Sequence, residues 1–131
     1  MRHSHLTLSV LADRLAVCKF EPERDIPEWA TRNTFWSVTK TQHELSIVCP
    51  EDNVPEGIEA ECGWRILEVE GPLDFSVTGV LNALTKPLAE SGISVFVLST
   101  HLTDYLLIRE KDVKSAIIAL RAQGHRIDCD I

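Results

Sequence analysis

The chain is short of positive charge. Its 131 residues carry thirteen Lys and Arg against twenty Asp and Glu, a net charge of −7 with His neutral. That balance removes the counterion-release drive toward phosphate backbones and tells equally against anionic lipid, so neither nucleic acid nor membrane is expected as a partner. Also missing is any run near the roughly 20 apolar residues that a bilayer-spanning helix needs. The opening stretch, Met1 to Phe20, has Asp13 and Arg14 inside its apolar part and no small-residue cleavage pattern, which reads as a cytoplasmic chain. Cysteine is sparse, at 18, 49, 62 and 129, with no two closer than thirteen positions. No C-x-x-C is available for redox chemistry or a zinc knuckle, and reduced thiols buried in strands are expected. No Ser–His–Asp or Cys–His set can be assembled from the scattered His43, His101 and His125. The acidic run Glu51, Asp52, Glu56, Glu59 and Glu61 lacks the spacing of a calcium loop and reads as a solvated linker. The expectation is therefore a protein without catalysis, metal or cofactor.

What is present is an ordinary globular composition, 44% apolar and 25% charged, in a length that suits one domain or two very small ones. The second half is the clearer. Trp64 to Glu70 alternates as a strand and stops at Gly71-Pro72. Val80, Leu81, Leu84 and Leu88 recur at helical spacing, with Ser76 or Thr78 as cap, Gly92 as terminator and Pro87 as a kink or break. Ser94 to Ser99 and Asp104 to Arg109 read as a hairpin. Val113, Ala116, Ile117 and Leu120 form a second helical face closed by Gly124, and His125 to Asp128 is a last strand. The order βαββαβ is the ferredoxin-like α+β arrangement, an antiparallel sheet with two helices on one face.

The first half reads as a worn copy. Phe35 to Val48 lies on Val95 to Ile108 at a constant offset of sixty, so that Val38 falls on Leu98, Ile47 on Leu107 and Glu44 on Asp104. Leu6 to Leu11 likewise falls near Trp64 to Val69, and only Pro27 to Ala30 offers a short helix between the strands. Two units in tandem are expected, a degenerate one over residues 1–62 with reduced helices and a complete one over residues 63–131.

The run T-G-V-L-x-x-L-x-x-P-L-A-E-x-G-I-S-V-F-V-L-S-T-x-x-T-D-Y-L-L-I-R-E, residues 78 to 110, resembles the ACT-domain superfamily. It is most similar to the tandem-ACT subgroup that includes the CASTOR arginine sensors. The resemblance implies a non-enzymatic regulatory module that binds a small molecule, usually an amino acid, at an ACT–ACT interface. In the family pattern the aspartate after S-T-x-x-T contacts ligand and matches Asp104. The turn that opens the first helix matches Thr78, Gly79 and Val80. The residues themselves suit such a ligand. Backbone N–H groups at a helix start favour a carboxylate, and Gly79 leaves room for close approach. Asp104 accepts from an ammonium or guanidinium, and Ser99, Thr100 and Thr103 add hydroxyls. Asp104 serves equally well to bond its own backbone in the hairpin turn, and Gly79 to allow tight helix–strand packing. An exposed sheet edge allows a homodimer that continues the sheet, and an oligomerisation module without ligand is the alternative function.

Overall fold

The computed structural model describes residues 5–70 and 79–129. Among them, in chain order, are strands β1 (Thr7–Phe20), β2 (Ser37–Lys40), β3 (Leu45–Pro50) and β4 (Glu61–Val69). Helix α1 (Val80–Glu90), strands β5 (Val95–Ser99) and β6 (Asp104–Arg109), helix α2 (Val113–Ala122) and strand β7 (Arg126–Asp128) follow. The chain divides into two compact units, one of residues 1–12 and 65–131 and one of residues 13–64. The cuts fall inside β1 and inside β4, so the larger unit is discontinuous in sequence.

In that larger unit the expected order, strand, helix, hairpin, helix, strand, is present. Its sheet packs Leu8, Leu67, Val69, Leu106, Ile108 and Ile127 against Leu84 and Leu88 of α1 and Val113, Ala116 and Leu120 of α2. Period-two alternation in the strands and the 3.6-residue period in the helices place those side chains on facing surfaces. One feature of the ferredoxin-like expectation needs correction. The sheet is not wholly antiparallel, because β7 runs parallel to the start of β1, with Thr7, Leu8 and Ser9 opposite Arg126, Ile127 and Asp128. The first strand of the chain therefore lies beside the last, and β1 is itself the neighbour of β4. The Glu70 amide donates to the Thr7 carbonyl at 2.8 Å. Buried Arg65 reaches the Leu11 carbonyl through Nη2 at 3.0 Å and the Glu110 carboxylate through Nη1 at 3.4 Å. Short strand–strand contacts of this kind are local to the unit, and they tie residues 5–12 into it.

Helix α1 departs from expectation at its proline. Pro87 neither ends nor divides it, since the helix continues from Val80 to Glu90. The missing N–H is tolerated because the carbonyl it would have served finds another donor, described below. The expected caps, Ser76 and Thr78, lie outside the described residues. Gly79 immediately precedes the helix, at φ 82°. A Cβ there meets nothing within 4 Å, so the glycine is required by its left-handed backbone and not by packing. Gly79→Ala is expected to cost about 1–2 kcal/mol, the usual penalty of an L residue in that region, read as a lower urea midpoint at unchanged slope.

In the smaller unit β2 pairs with β3, and β3 pairs with the second part of β1, both antiparallel. Cys18, Ala30, Leu45, Ile47 and Cys49 form its core, with Phe20, Trp29 and Val38 packed on them. The expected helix at Pro27 to Ala30 is one 3-10 turn, Glu28–Thr31.

The two hairpins have the same local geometry at an offset of fifty-nine residues. Ser37 faces Val48 and Lys40 faces Leu45, while Phe96 faces Leu107 and Ser99 faces Asp104. Thr41 N–H donates to the Glu44 carbonyl at 2.9 Å, as Thr100 N–H does to the Thr103 carbonyl. The sequence match at sixty is thus one residue out. Strand side chains alternate between faces, so that slip exchanges core and surface. At fifty-nine, half-buried Val38 falls on half-buried Val97 and core Ile47 on core Leu106. The counterpart of Asp104 is buried Leu45, and Glu44 corresponds to Thr103.

Candidate functional site

Four of the seven expected ligand residues come together in the β5–β6 hairpin. The hairpin is closed by Thr100, whose hydroxyl donates to the Thr103 carbonyl at 3.1 Å and accepts from the Thr103 amide at 3.3 Å. Asp104 is therefore not consumed by the turn. Its Oδ1 accepts the Ser99 hydroxyl at 2.7 Å, and its remaining lone pairs stay available to a cationic group. Thr103 is buried and donates to the Val69 carbonyl at 2.7 Å, which fastens the hairpin to β4. Gly79 and Val80 stand at the head of α1, with Val80 buried. Thr78 lies outside the described residues. Alternation along β5 and β6 puts Ser99 and Asp104 on the helix-bearing face of the sheet and Tyr105 on the other.

That other face holds a cleft of about 360 Å³. Its walls are Thr7 and Ser9 of β1, Glu68, Val69 and Glu70 at the end of β4, Leu102 and Thr103 of the hairpin, Tyr105 of β6 and Asp128 of β7. Thr103 is common to the cleft and to the expected set, while Gly79, Val80, Ser99, Thr100 and Asp104 do not line it. The polar wall residues within strands β1, β4 and β7 are outward neighbours of core residues: Thr7 and Ser9 flank Leu8, Glu68 precedes Val69, and Asp128 follows Ile127. Three carboxylates face a small volume with four hydroxyls. At the rim, Arg126 Nε holds Asp128 Oδ1 at 2.9 Å. Burial raises the Tyr105 hydroxyl above its ordinary pKa, and the neighbouring Glu68 charge and its hydrogen bond raise it further. Tyr105 is thus a neutral donor at pH 7. A cavity with this lining solvates ammonium or guanidinium groups and repels anions.

Three of the four thiols are shifted away from the thiolate form. Burial pushes Cys18 and Cys49 up, Cys49 to about 11 with the neighbouring Cys18 and Cys62 adding to it. A thiol activated for attack needs the opposite shift. Among the described residues no group of three or more His, Cys, Asp or Glu is arranged to hold a metal ion.

The sequence pattern of the ACT domain matches residues 59–122. A crystal structure of protein Atu0741 from Agobacterium tumefaciens is 32% identical, with a TM-score of 0.91 over 97% of this chain and 95% of that one. The chain belongs to the ACT-domain family. A second pattern, described as an N-terminal domain, matches residues 13–57, inside the smaller unit. The bovine protein named cytosolic arginine sensor for mTORC1 subunit 1 is 32% identical over 101 residues, which cover 69% of this chain and 31% of the bovine one. This ACT protein thus spans about a third of the length of the arginine-sensor relatives it matches. The ligand-free regulatory subunit of aspartate kinase from Thermus thermophilus shares the fold, at 12% identity and a TM-score of 0.61 over 88% of this chain and 95% of that one. No helix among the described residues is long and apolar enough to cross a membrane.

Proposed function

We propose that this ACT protein is a regulatory module that binds an amino acid at the hairpin end of its larger unit. The observation that carries the reading is the carboxylate-lined cleft beside Thr103, set next to a hairpin whose Asp104 keeps free lone pairs. The ligand's ammonium is met by Asp104 and its carboxylate by backbone N–H groups at the head of α1, both on the helix-bearing face, while a long cationic side chain rounds the hairpin end past Thr103 into the cleft. The arginine-sensor relative, whose name states its ligand, supports an amino acid as the class. A basic amino acid fits the acidic lining best. Family membership and the raised thiols support regulation over catalysis. The ligand is held where ACT units meet, and a second copy of the chain supplies the closing surface in a homodimer. Occupancy then shifts the population toward the closed arrangement by the difference in affinity between the two states.

Replacing Asp104 tests the reading. Asp104→Ala removes one hydrogen bond to an exposed hydroxyl, so the folded state loses about 1 kcal/mol or less. The dissociation constant for the amino acid giving the largest thermal shift is expected to rise at least tenfold in calorimetry. Unchanged affinity in a folded Asp104→Ala protein would remove the hairpin carboxylate from the site. A chain that binds no amino acid yet self-associates would favour the oligomerisation module.

A further inference from the structure

Pro87 has no N–H, so the Ala83 carbonyl, four residues earlier in α1, loses its intrahelical donor. His125 Nε2 lies 3.3 Å from that oxygen. Its other ring nitrogen, Nδ1, lies 3.1 Å from the backbone nitrogen of Leu6, just ahead of β1. A carbonyl can only accept and a backbone amide can only donate. The two partners therefore fix the ring as neutral, with its proton on Nε2 and its lone pair on Nδ1. His125 is only 4% exposed, so bulk water does not stand in for either partner.

The geometry assigns His125 the role of a latch that holds the opening strand in place while the ring is neutral and releases it when the ring gains a proton. The added proton goes to Nδ1, where it meets the Leu6 N–H, and two donors then face each other. Leu6 is where the β1–β7 pairing begins: the Arg126 amide donates to the Leu6 carbonyl at 2.9 Å, and Thr7 opposite Arg126 is the next pair. Losing the Leu6 anchor frays that pairing from its end.

The surroundings oppose protonation. Burial lowers the ring's pKa below the ordinary 6.5, the Ala83 bond partly opposes this, and His5 on the opening segment lowers it further. Lys86 and Glu90 of α1, of opposite charge, line a depression of about 230 Å³ together with His125. Arg121 of α2 is engaged with the Ile127 carbonyl and Arg126 of β7 with Asp128. Gly124 completes the arrangement, since a Cβ there would stand 2.7 Å from His5 Nε2. Because the folded pKa lies below the unfolded one, the released state binds more protons. The latch is whole above pH 6.5 and opens as pH falls beneath it. The strand it holds carries Thr7 and Ser9, one wall of the cleft, but the latch does not depend on any ligand.

Nitrogen NMR of the whole chain decides the tautomer: Nε2–H with bare Nδ1 at pH 7.5 is expected, and Nδ1–H would overturn the assignment. Hydrogen exchange, corrected for the intrinsic rate, measures the release. Protection of the amides from Leu6 to Val10 is expected to fall severalfold between pH 7.5 and 5.5, the ceiling for one ring with a released-state pKa of 6.5 being about tenfold, while β6 amides keep theirs. In His125→Gln, whose amide both donates and accepts without titrating, the fall should vanish. Constant protection in the natural chain, or an equal fall in a folded glutamine variant, would overturn the latch. Should that variant not fold, the NMR titration and the exchange of the natural chain decide between the same two outcomes.

Discussion

Residues 65–131 made without residues 1–12 are expected to lack a cooperative unfolding transition. They include most of the ACT pattern, yet they omit the strand that both β4 and β7 adjoin in the larger unit. Removing it strips the Arg126 amide of the Leu6 carbonyl, the Glu70 amide of the Thr7 carbonyl and Arg65 of the Leu11 carbonyl. It also deletes Leu8, a fully buried member of the core. Truncating one such leucine costs about 3 kcal/mol, and the whole strand costs more, against a usual domain stability of about 5–15 kcal/mol. Supplying residues 1–12 ahead of residue 65 through a short glycine-rich turn should restore the transition. Circular dichroism with heating checks both chains. A sharp transition in residues 65–131 alone would show that the opening strand is dispensable.

Neutralising the cleft should have the second large effect. In Glu68→Gln with Asp128→Asn the shape of the lining is kept and two negative charges are lost. A hydrogen bond to a charged group contributes about 1.5–3 kcal/mol, so a basic amino acid should bind on the order of a hundredfold more weakly. A neutral amino acid, if it binds, should change far less. The exposed Arg126 loses its partner Asp128 in this variant, a surface pair of little consequence for stability. Calorimetry at low salt gives the comparison. Equal weakening for basic and neutral ligands would mean that the cleft acts through shape and not through charge.

Much of the larger unit was legible in the sequence because its periodicities are strong and its punctuation is clear. Asp104 to Arg109 is the strand expected, and Val80, Leu84 and Leu88 face the core as their spacing implies. Three things were hidden, each for a physical reason. Parallel pairing of β7 with Thr7 to Ser9 joins positions more than a hundred residues apart, and no local pattern encodes such a contact. Pro87 is tolerated because His125, distant in sequence, donates to the carbonyl it leaves behind. The one-residue slip between the hairpins is invisible when apolar residues occupy both faces, as Leu106, Leu107 and Ile108 do here. That slip changes a functional reading, for it puts a buried leucine in the smaller unit where the larger has Asp104.

The site was legible only in part. Ser99, Thr100, Thr103 and Asp104 were singled out and do gather in one hairpin. The cleft was not foreseen, although the alternation of Thr7 and Ser9 around Leu8 was a signal available beforehand. An outward polar residue on a strand ordinarily faces solvent, and only the arrangement of β1, β4, β6 and β7 makes these positions converge. Gly79 keeps its left-handed backbone at the head of α1, where the carboxylate of the proposed ligand would lie.

The central claim, that this ACT protein binds an amino acid, is tested most directly by thermal unfolding of the whole chain against each of the twenty amino acids. A ligand present at a hundred times its dissociation constant adds about 2.7 kcal/mol, a rise in melting temperature on the order of 10 °C for a domain of this size. The account predicts such a rise for at least one amino acid, with basic ones foremost. A flat response to all twenty at millimolar concentration would contradict it.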